Sequence, residues 1–176
     1  NSALSCRSAP WPKEKAASDM IRAIRTDDCE AIAAIEAQTF NTAFHRGNLL
    51  TFMEMEAFCG FVDDANIPNT AYEKNNLGMS SNLVGYLLAT IILDEAEILS
   101  IVVSPDHQNC GRGAGLLGHF LAYIDAQDVK TTLLEVAADN VSALTLYHRY
   151  GFAEFGRRPS YYKLSDGDCD AIMMKR

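Results

Sequence analysis

The sequence predicts a mixed α/β (α+β) fold arranged around one central sheet, and three observations lead there. Apolar residues recur alternately at period two and at helical spacing, in the order strand, two helices, three strands, helix, strand, helix, two strands. No internal repeat interrupts that order. The chain of 176 residues, 48% hydrophobic and 22% charged, is long enough to bury a real core as one domain.

Taken in order, residues 1–19 lack periodicity and carry two prolines around Trp11. They contain no apolar stretch of the signal-peptide kind and are expected to form a disordered extension outside the fold, with the domain spanning 20–176. Met20–Arg25 alternates like a strand, and Asp27 followed by Glu30 resembles a capping box ahead of a helix marked by Ile32, Ile35 and Phe40. A second helix is predicted over about Asn48 to Ala57, then a strand through Ala57–Val62. The polar segment Asp63–Asn82 reads as a loop, long for a connection. Leu83–Leu93 and Ala96–Val103 read as strands. After the glycine-rich segment, Leu116, Leu117, Phe120, Leu121 and Ile124 make one helical stripe. Thr131–Val136 alternates as a strand, and a helix follows with Asp139 or Asn140 at its N-cap and Gly151 as its stop. Phe152–Arg158 and Asp170–Lys175 close the sheet.

Gly111, Gly113, Gly115 and Gly118 open a helix, where each glycine costs roughly 1 kcal/mol against alanine. A helix N-terminus presents unsatisfied N–H groups and the positive end of the dipole, and glycines let a bulky anion approach that backbone closely. The segment therefore reads as a phosphate cradle, although glycine count alone equally suits a flexible loop with close helix–sheet packing. A P-loop would need Lys then Ser/Thr after its last glycine, and neither is present. Gly113–Gly118 matches the G-x-G-x-x-G of dinucleotide folds, but Ser104 to Cys110 separate it from the preceding strand, and too little chain follows Glu135.

The other parsing, Gln108–Asn109–Cys110–Gly111–Arg112–Gly113, is a Q-x-x-G-x-G between an apolar strand and a helix. It resembles the acyl-CoA pyrophosphate loop of the GNAT acetyltransferase superfamily. Leu133–Arg158, with its Asn-initiated helix ending in Tyr-x-x-x-Gly-Phe, resembles the second half of that motif set. The tail from Ser160 to Met174 and the stretch Leu93–Gln108 are similar to RimI-type ribosomal-protein alanine N-acetyltransferases. The likeness is good over Leu93–Met174 and extends back to Met20. Two segments depart from the pattern, Asp63–Asn82 and Lys163–Ser165, and both concern the acceptor rather than the acyl donor.

The resemblance implies a single mixed sheet of about seven strands flanked by about four helices, splayed in the middle to admit acyl-CoA. It implies that Gln108, Asn109, Cys110, Gly111, Arg112, Gly113 and Ala114 hold the pyrophosphate through backbone N–H groups. The main chain of Ile101, Val102 and Val103 would pair with pantetheine, and Asn140 would reach the same arm. Glu135 is implied as general base and Tyr147 as proton donor. From the residues alone, Glu135 reads equally as a strand carboxylate paired with a surface cation, and Tyr147 as a core aromatic. Cys110 stands at a helix N-terminus, which favours a thiolate, yet direct transfer in a ternary complex is the favoured route.

The formal net charge of −8 argues against a nucleic-acid partner and suits a basic peptide or amine. Five scattered cysteines without a C-x-x-C pair fit a reducing cytoplasm, and neither they nor His45, His107, His119 and His148 show metal spacing. No apolar stretch is long enough to span a bilayer. The expected function is acetyl-CoA-dependent transfer to the α-amine of a protein N-terminus, by resemblance that of a ribosomal protein. A GNAT acting on a small amine or a lysine side chain, or a non-catalytic acyl-CoA-binding module, are the alternatives. Oligomeric state is not legible.

Overall fold

The computed structural model describes residues 20–39, 46–65, 83–164 and 167–176. Its seven strands are β1 (Ile21–Ala23), β2 (Phe58–Asp64), β3 (Leu83–Ile92), β4 (Glu95–Val103), β5 (Thr131–Ala137), β6 (Ala153–Leu164) and β7 (Gly167–Lys175). The helices are α1 (Cys29–Thr39), α2 (Arg46–Met53), α3 (Arg112–Asp125) and α4 (Val141–Arg149). The strands form one mixed sheet in the order β1-β2-β3-β4-β5-β7-β6. Seven strands and four helices agree with the predicted class. The expectations for residues 1–19 and Phe40 lie outside the described residues, as does most of the Asp63–Asn82 loop.

The chain packs as two units. The first runs to Leu88 and takes in Ser100–Phe120. Its core gathers Ile32 and Ile35 of α1, Leu49 of α2, Val62 of β2, Tyr86 and Leu88 of β3 and Val102 of β4. A fully buried Ile, Leu or Val contributes roughly 1.5–3 kcal/mol of transfer free energy. Leu116, Leu117 and Phe120 of α3 are fully buried, as their spacing predicts. The helix α1 is introduced by Asp28, not Asp27: its carboxylate accepts the Arg25 backbone N–H at 2.8 Å. Arg22 clamps that same carboxylate at 2.7 and 2.9 Å, and lies 3.3 Å from Asp64. Asp28, closing onto the backbone of the Arg25 N-cap, corrects the predicted pair of Asp27 and Glu30.

β2 is longer than predicted, because Asp63 and Asp64 continue the strand instead of opening the loop. Asp63 pairs with Ile21 across the antiparallel β1–β2 register. Asp63 is 1% exposed and its side chain is ion-paired to Arg112, so a polar residue survives inside a strand.

The second unit comprises Ala89–Leu99 and Leu121–Arg176. Here β4 and β5 run parallel, in register from Glu95↔Thr131 to Ile98↔Leu134. β5 then continues to Ala137 along its antiparallel partner β7, with Glu135 opposite Met173. α4 starts where the Asn140 side chain accepts the Ala143 N–H at 3.1 Å, selecting Asn140 over Asp139 as the cap. Gly151 ends it with φ +87°, a left-handed turn that glycine adopts without strain. β6 extends well past Arg158 because a register shift between Arg158 and Tyr162 absorbs Pro159 and Ser160. Asp170 fastens that bulge by accepting the Ser160 N–H at 2.9 Å.

Candidate active site

The first unit carries the glycine loop. Ser104 leaves β4 with its N–H bonded to the Val84 carbonyl at 2.8 Å, and its hydroxyl meets His107 Nδ1 at 2.9 Å. Pro105–His107 form a single 3-10 turn. Gln108 folds back, donating its side-chain amide to the Val103 carbonyl at 3.0 Å. Asn109 and Gly111 take positive φ values of 58° and 80°, and Gly115 N–H bonds the Gly111 carbonyl at 2.9 Å in the opening turn of α3. Left-handed residues alternating with right-handed ones turn successive N–H groups toward one side, the geometry of an anion-binding nest. Added to the N-terminus of the fourteen-residue α3, this backbone fits a pyrophosphate group.

Arg112, at the first position of α3, is turned to the core. Its Nη1 lies 2.8 Å from Asp63 Oδ1, with side-chain exposures of 14% and 2%. Burial pushes the Asp63 carboxyl above its usual range, against the opposing pull of Arg112. Thus the Arg112 guanidinium is engaged in fixing the helix start, and the contribution to an anion expected from residue 112 rests on its backbone. Asp63 is a residue that sequence reading places in a loop. Val102 is buried, and Ile101 and Val103 are half-buried. Cys110, Gly113 and Ala114 are all partly accessible in the loop.

The second unit carries both residues predicted to handle protons. On β5, Leu134 and Val136 are buried at 2% and 6%, and alternation sends Glu135 to the other face. Its Oε1 lies 3.1 Å from Nη2 of Arg158, with side-chain exposures of 23% and 50%. The strand carboxylate thus does have a cationic partner. Arg158 also stands over the Tyr161 ring, 5.5 Å from its centroid, and Tyr161 meets Tyr162 edge-on at 5.1 Å. Burial raises the Tyr162 phenol, helped by the Glu135 charge.

Tyr147 is 7% exposed, and its ring packs edge-on against Phe152 at 5.9 Å. Its hydroxyl has no hydrogen-bond partner among the described residues, yet it is not sealed from solvent. Burial, with a smaller contribution from Tyr162, pushes the phenol up to about 12. Tyr162 is therefore electrostatically linked to both Glu135 and Tyr147. Asn140, the third residue expected here, spends its side-chain oxygen on the α4 cap. His148 turns away to the Phe152 carbonyl at 3.2 Å, so it does not touch the Tyr147 hydroxyl. Sequence reading pairs no cation with Glu135 by name; Arg158 supplies it.

Among the described residues no cluster of His, Cys, Asp or Glu is arranged to hold a metal ion, and no helix is long and apolar enough to cross a membrane.

Comparison with known proteins bears on what such a site serves. The chain is 37% identical over 103 residues to the [ribosomal protein bS18]-alanine N-acetyltransferase of Escherichia coli strain K12, covering 58% of this chain and 70% of that protein. It is 28% identical over 156 residues to an uncharacterized N-acetyltransferase of Methanocaldococcus jannaschii, covering 88% and 89%. Its fold superposes on the crystal structure of the ribosomal-protein-S18-alanine N-acetyltransferase from Escherichia coli with a TM-score of 0.76, at 30% identity over 88% of this chain and 90% of that one. The profile of the Acetyltransferase (GNAT) family matches residues 30–152, from the start of α1 to the end of the Gly151–Phe152 turn. The chain is an N-acyltransferase that belongs to the GNAT acetyltransferase family.

Proposed function

We propose that this protein is a cytoplasmic acetyl-CoA-dependent N-acetyltransferase acting on the α-amine of a protein N-terminus, of the kind that ribosomal proteins present. Acetyl-CoA supplies an activated acetyl thioester and a thiolate leaving group. The backbone N–H groups of Asn109 to Ala114 bind its pyrophosphate, and the main chain of Ile101–Val103 and Asn140 hold the pantetheine arm. Gln108 braces the loop from below through its bond to Val103.

Glu135 takes a proton from the acceptor ammonium, directly or through one water, leaving the neutral amine that attacks. A positioned base of this type contributes about 10²–10⁴ in rate. Tyr147 stands ready as a hydrogen-bond donor to the developing thiolate. With its phenol near 12, it stays protonated throughout the physiological range. Complete transfer to a thiolate of ordinary basicity, with a conjugate acid near 8.5, would run uphill. Tyr147 therefore stabilises the leaving charge, and water completes its protonation.

The observation that carries the choice of acceptor is the grouping on β6. Arg158 pairs with Glu135 and stands over Tyr161, and Tyr162 meets Tyr161 edge-on, so two phenols border the carboxylate that the amine of an extended peptide would reach. The similarity to ribosomal-protein alanine N-acetyltransferases supports the same reading. The test is thiol release from acetyl-CoA with an alanine-starting peptide, the acetyl position then being read by mass spectrometry. Acetyl on the α-nitrogen is expected. Binding of acetyl-CoA with no thiol release for any amine would instead leave only a binding module.

A further inference from the structure

We propose that Arg158 gates the acceptor: its guanidinium holds the place on Glu135 that a cationic acceptor's ammonium group takes, and is displaced by it. This rests on the reading of Glu135 as the base and goes beyond it to the residue that controls access to that carboxylate.

Four observations lead to it. The Arg158–Glu135 contact of 3.1 Å is made by side chains 50% and 23% exposed, so water reaches both. Ion pairs of that exposure hold weakly and exchange readily. Second, Arg158 already stands over the Tyr161 ring at 5.5 Å while it pairs with Glu135, a cation–aromatic contact that does not depend on the carboxylate. Displacement need not strand the charge.

Third, the neighbouring carboxylates belong to Arg157, whose guanidinium lies 3.5 Å from Glu154 and 3.5 Å from Asp170. Successive strand residues face opposite sides, so Arg157 serves the fastening of the bulge while Arg158 is left to Glu135. Fourth, the bulge at Pro159–Ser160, with Ser160 at φ 52°, comes immediately after Arg158 and sets the two tyrosines beyond it. Among the described residues, the ionisable groups that act on or are acted on by Glu135 are the Arg158 guanidinium and the Tyr162 phenol.

The chemistry is an exchange of cations. A guanidinium is a donor with no lone pair to offer as a nucleophile, so it neutralises Glu135 without reacting. An ammonium that replaces it restores the charge balance and then hands one proton to the carboxylate, becoming the nucleophile. Arg158 thus holds the base against adventitious cations and yields to an amine delivered by a bound peptide. It acts through Glu135 and is a positioning residue.

The experiment is steady-state kinetics of Arg158→Gln and Arg158→Lys, at saturating acetyl-CoA, with an alanine-starting peptide that has no other charged side chain. Loss of the competing cation should lower the acceptor KM by about three- to five-fold, the size that an exposed ion pair supports. The KM for acetyl-CoA should not move. Arg158→Lys, which restores a cation, should bring the acceptor KM back toward the parent value. An acceptor KM that is unchanged or raised in Arg158→Gln, with acetyl-CoA binding intact, overturns the gate. Glu135→Gln separates the two readings. Parental turnover in that variant removes the base assignment itself, whereas lost turnover together with an unmoved KM in Arg158→Gln overturns only the role of Arg158.

Discussion

Arg112 Nη1 lies 2.8 Å from Asp63 Oδ1, joining the first residue of α3 to the end of β2 across 49 positions of sequence. The residue that opens α3 is thereby tied to a strand 1% exposed at the point of contact. Taking Asp63 out of water costs more than the guanidinium returns, which is why its carboxyl is held above the ordinary range. A pair of that kind positions structure more than it stabilises it.

The consequence for variants follows directly. Asp63→Asn leaves the Arg112 charge largely buried without its counter-ion and should cost about 3 kcal/mol in denaturant unfolding. The double variant Asp63→Asn with Arg112→Gln removes both charges and should recover most of that loss. Its affinity for coenzyme A, measured by calorimetry, should remain at least several-fold weaker than the parent's, because the start of α3 is no longer held. Full recovery of both properties would show that the pair has no part in shaping the loop. Gly111→Val is the sharper assault on the same backbone: φ +80° is strained for a β-branched residue, and a coenzyme A dissociation constant raised at least ten-fold is expected.

With Tyr147 in its proposed role, donating only to charge that develops during reaction, Tyr147→Phe should reduce kcat by roughly ten- to a hundred-fold with little change in either KM. Stability at neutral pH should change little, because the hydroxyl has no partner among the described residues to lose. At high pH the two proteins should part. The folded phenol, at about 12, ionises later than the unfolded one, at about 10. The stability this contributes is whole below pH ~10 and falls by about 1.4 kcal/mol per unit as pH rises toward ~12. Tyr147→Phe would abolish that slope. A basic limb near pH 8 in the kcat profile of the parent that vanishes in the same variant would contradict a phenol held this high.

How much of this is legible depends on the range of the interaction. The α3 stripe from Leu116 to Ile124 and the alternation about Glu135 are periodic, and period-reading locates both. Asn140 and Gly151 punctuate α4 for local reasons, a side-chain cap and a left-handed turn, so they too can be read. Asp63 reads as loop because two adjacent aspartates look solvated when the arginines that neutralise them are far away in sequence. Asp28 replaces Asp27 as the capping carboxylate for a similar reason: Arg22 and the Arg25 amide both converge on it. The full length of β6 escapes the sequence because Pro159 suggests an end to pairing, whereas the bulge places it where no ladder N–H is required. The family motifs make Glu135 and Tyr147 candidates; the Arg158 contact is a matter of side-chain direction before that bulge and leaves no local trace.

Glu135→Gln should keep coenzyme A affinity within two-fold while lowering kcat about 10²- to 10³-fold, as for removal of a positioned general base. The deficit should be greatest at low pH, where nearly all of the acceptor arrives as ammonium. Cys110→Ala, in contrast, should turn over at close to the parental rate, since the proposed direct attack needs no thiol and the proposed donor contacts of the loop are made by its backbone. Loss of activity in Cys110→Ala with intact donor binding, together with acetyl trapped on the parent protein, would replace direct transfer by a covalent route.

The last prediction concerns which amine is chosen. Among peptides matched in length and charge, one bearing a free N-terminal alanine should be acetylated with a kcat/KM at least ten-fold above one whose only free amine is a lysine side chain. An α-amine brings its own backbone beside Tyr161 and Tyr162, where each hydrogen bond to peptide adds roughly 0.5–1.5 kcal/mol. A lysine amine at the end of its four-carbon stem brings none of that backbone to the carboxylate, and must also surrender more side-chain freedom. The ordinary α-amino group, near 7.7–8.0, is in addition far more easily deprotonated by a carboxylate than a lysine near 10.4. That difference alone favours the α-amine at neutral pH and shrinks as pH rises, so the preference should narrow between pH 7 and pH 10. The formal net charge of −8 adds a second handle. Basic residues downstream of the alanine should raise kcat/KM at low ionic strength, and that increment should fall away by about 0.5 M salt, where charge steering is screened. Acetylation found mainly on lysine Nε across this series, read by mass spectrometry, would transfer the chain to a different acceptor class while leaving its place among the acetyltransferases untouched.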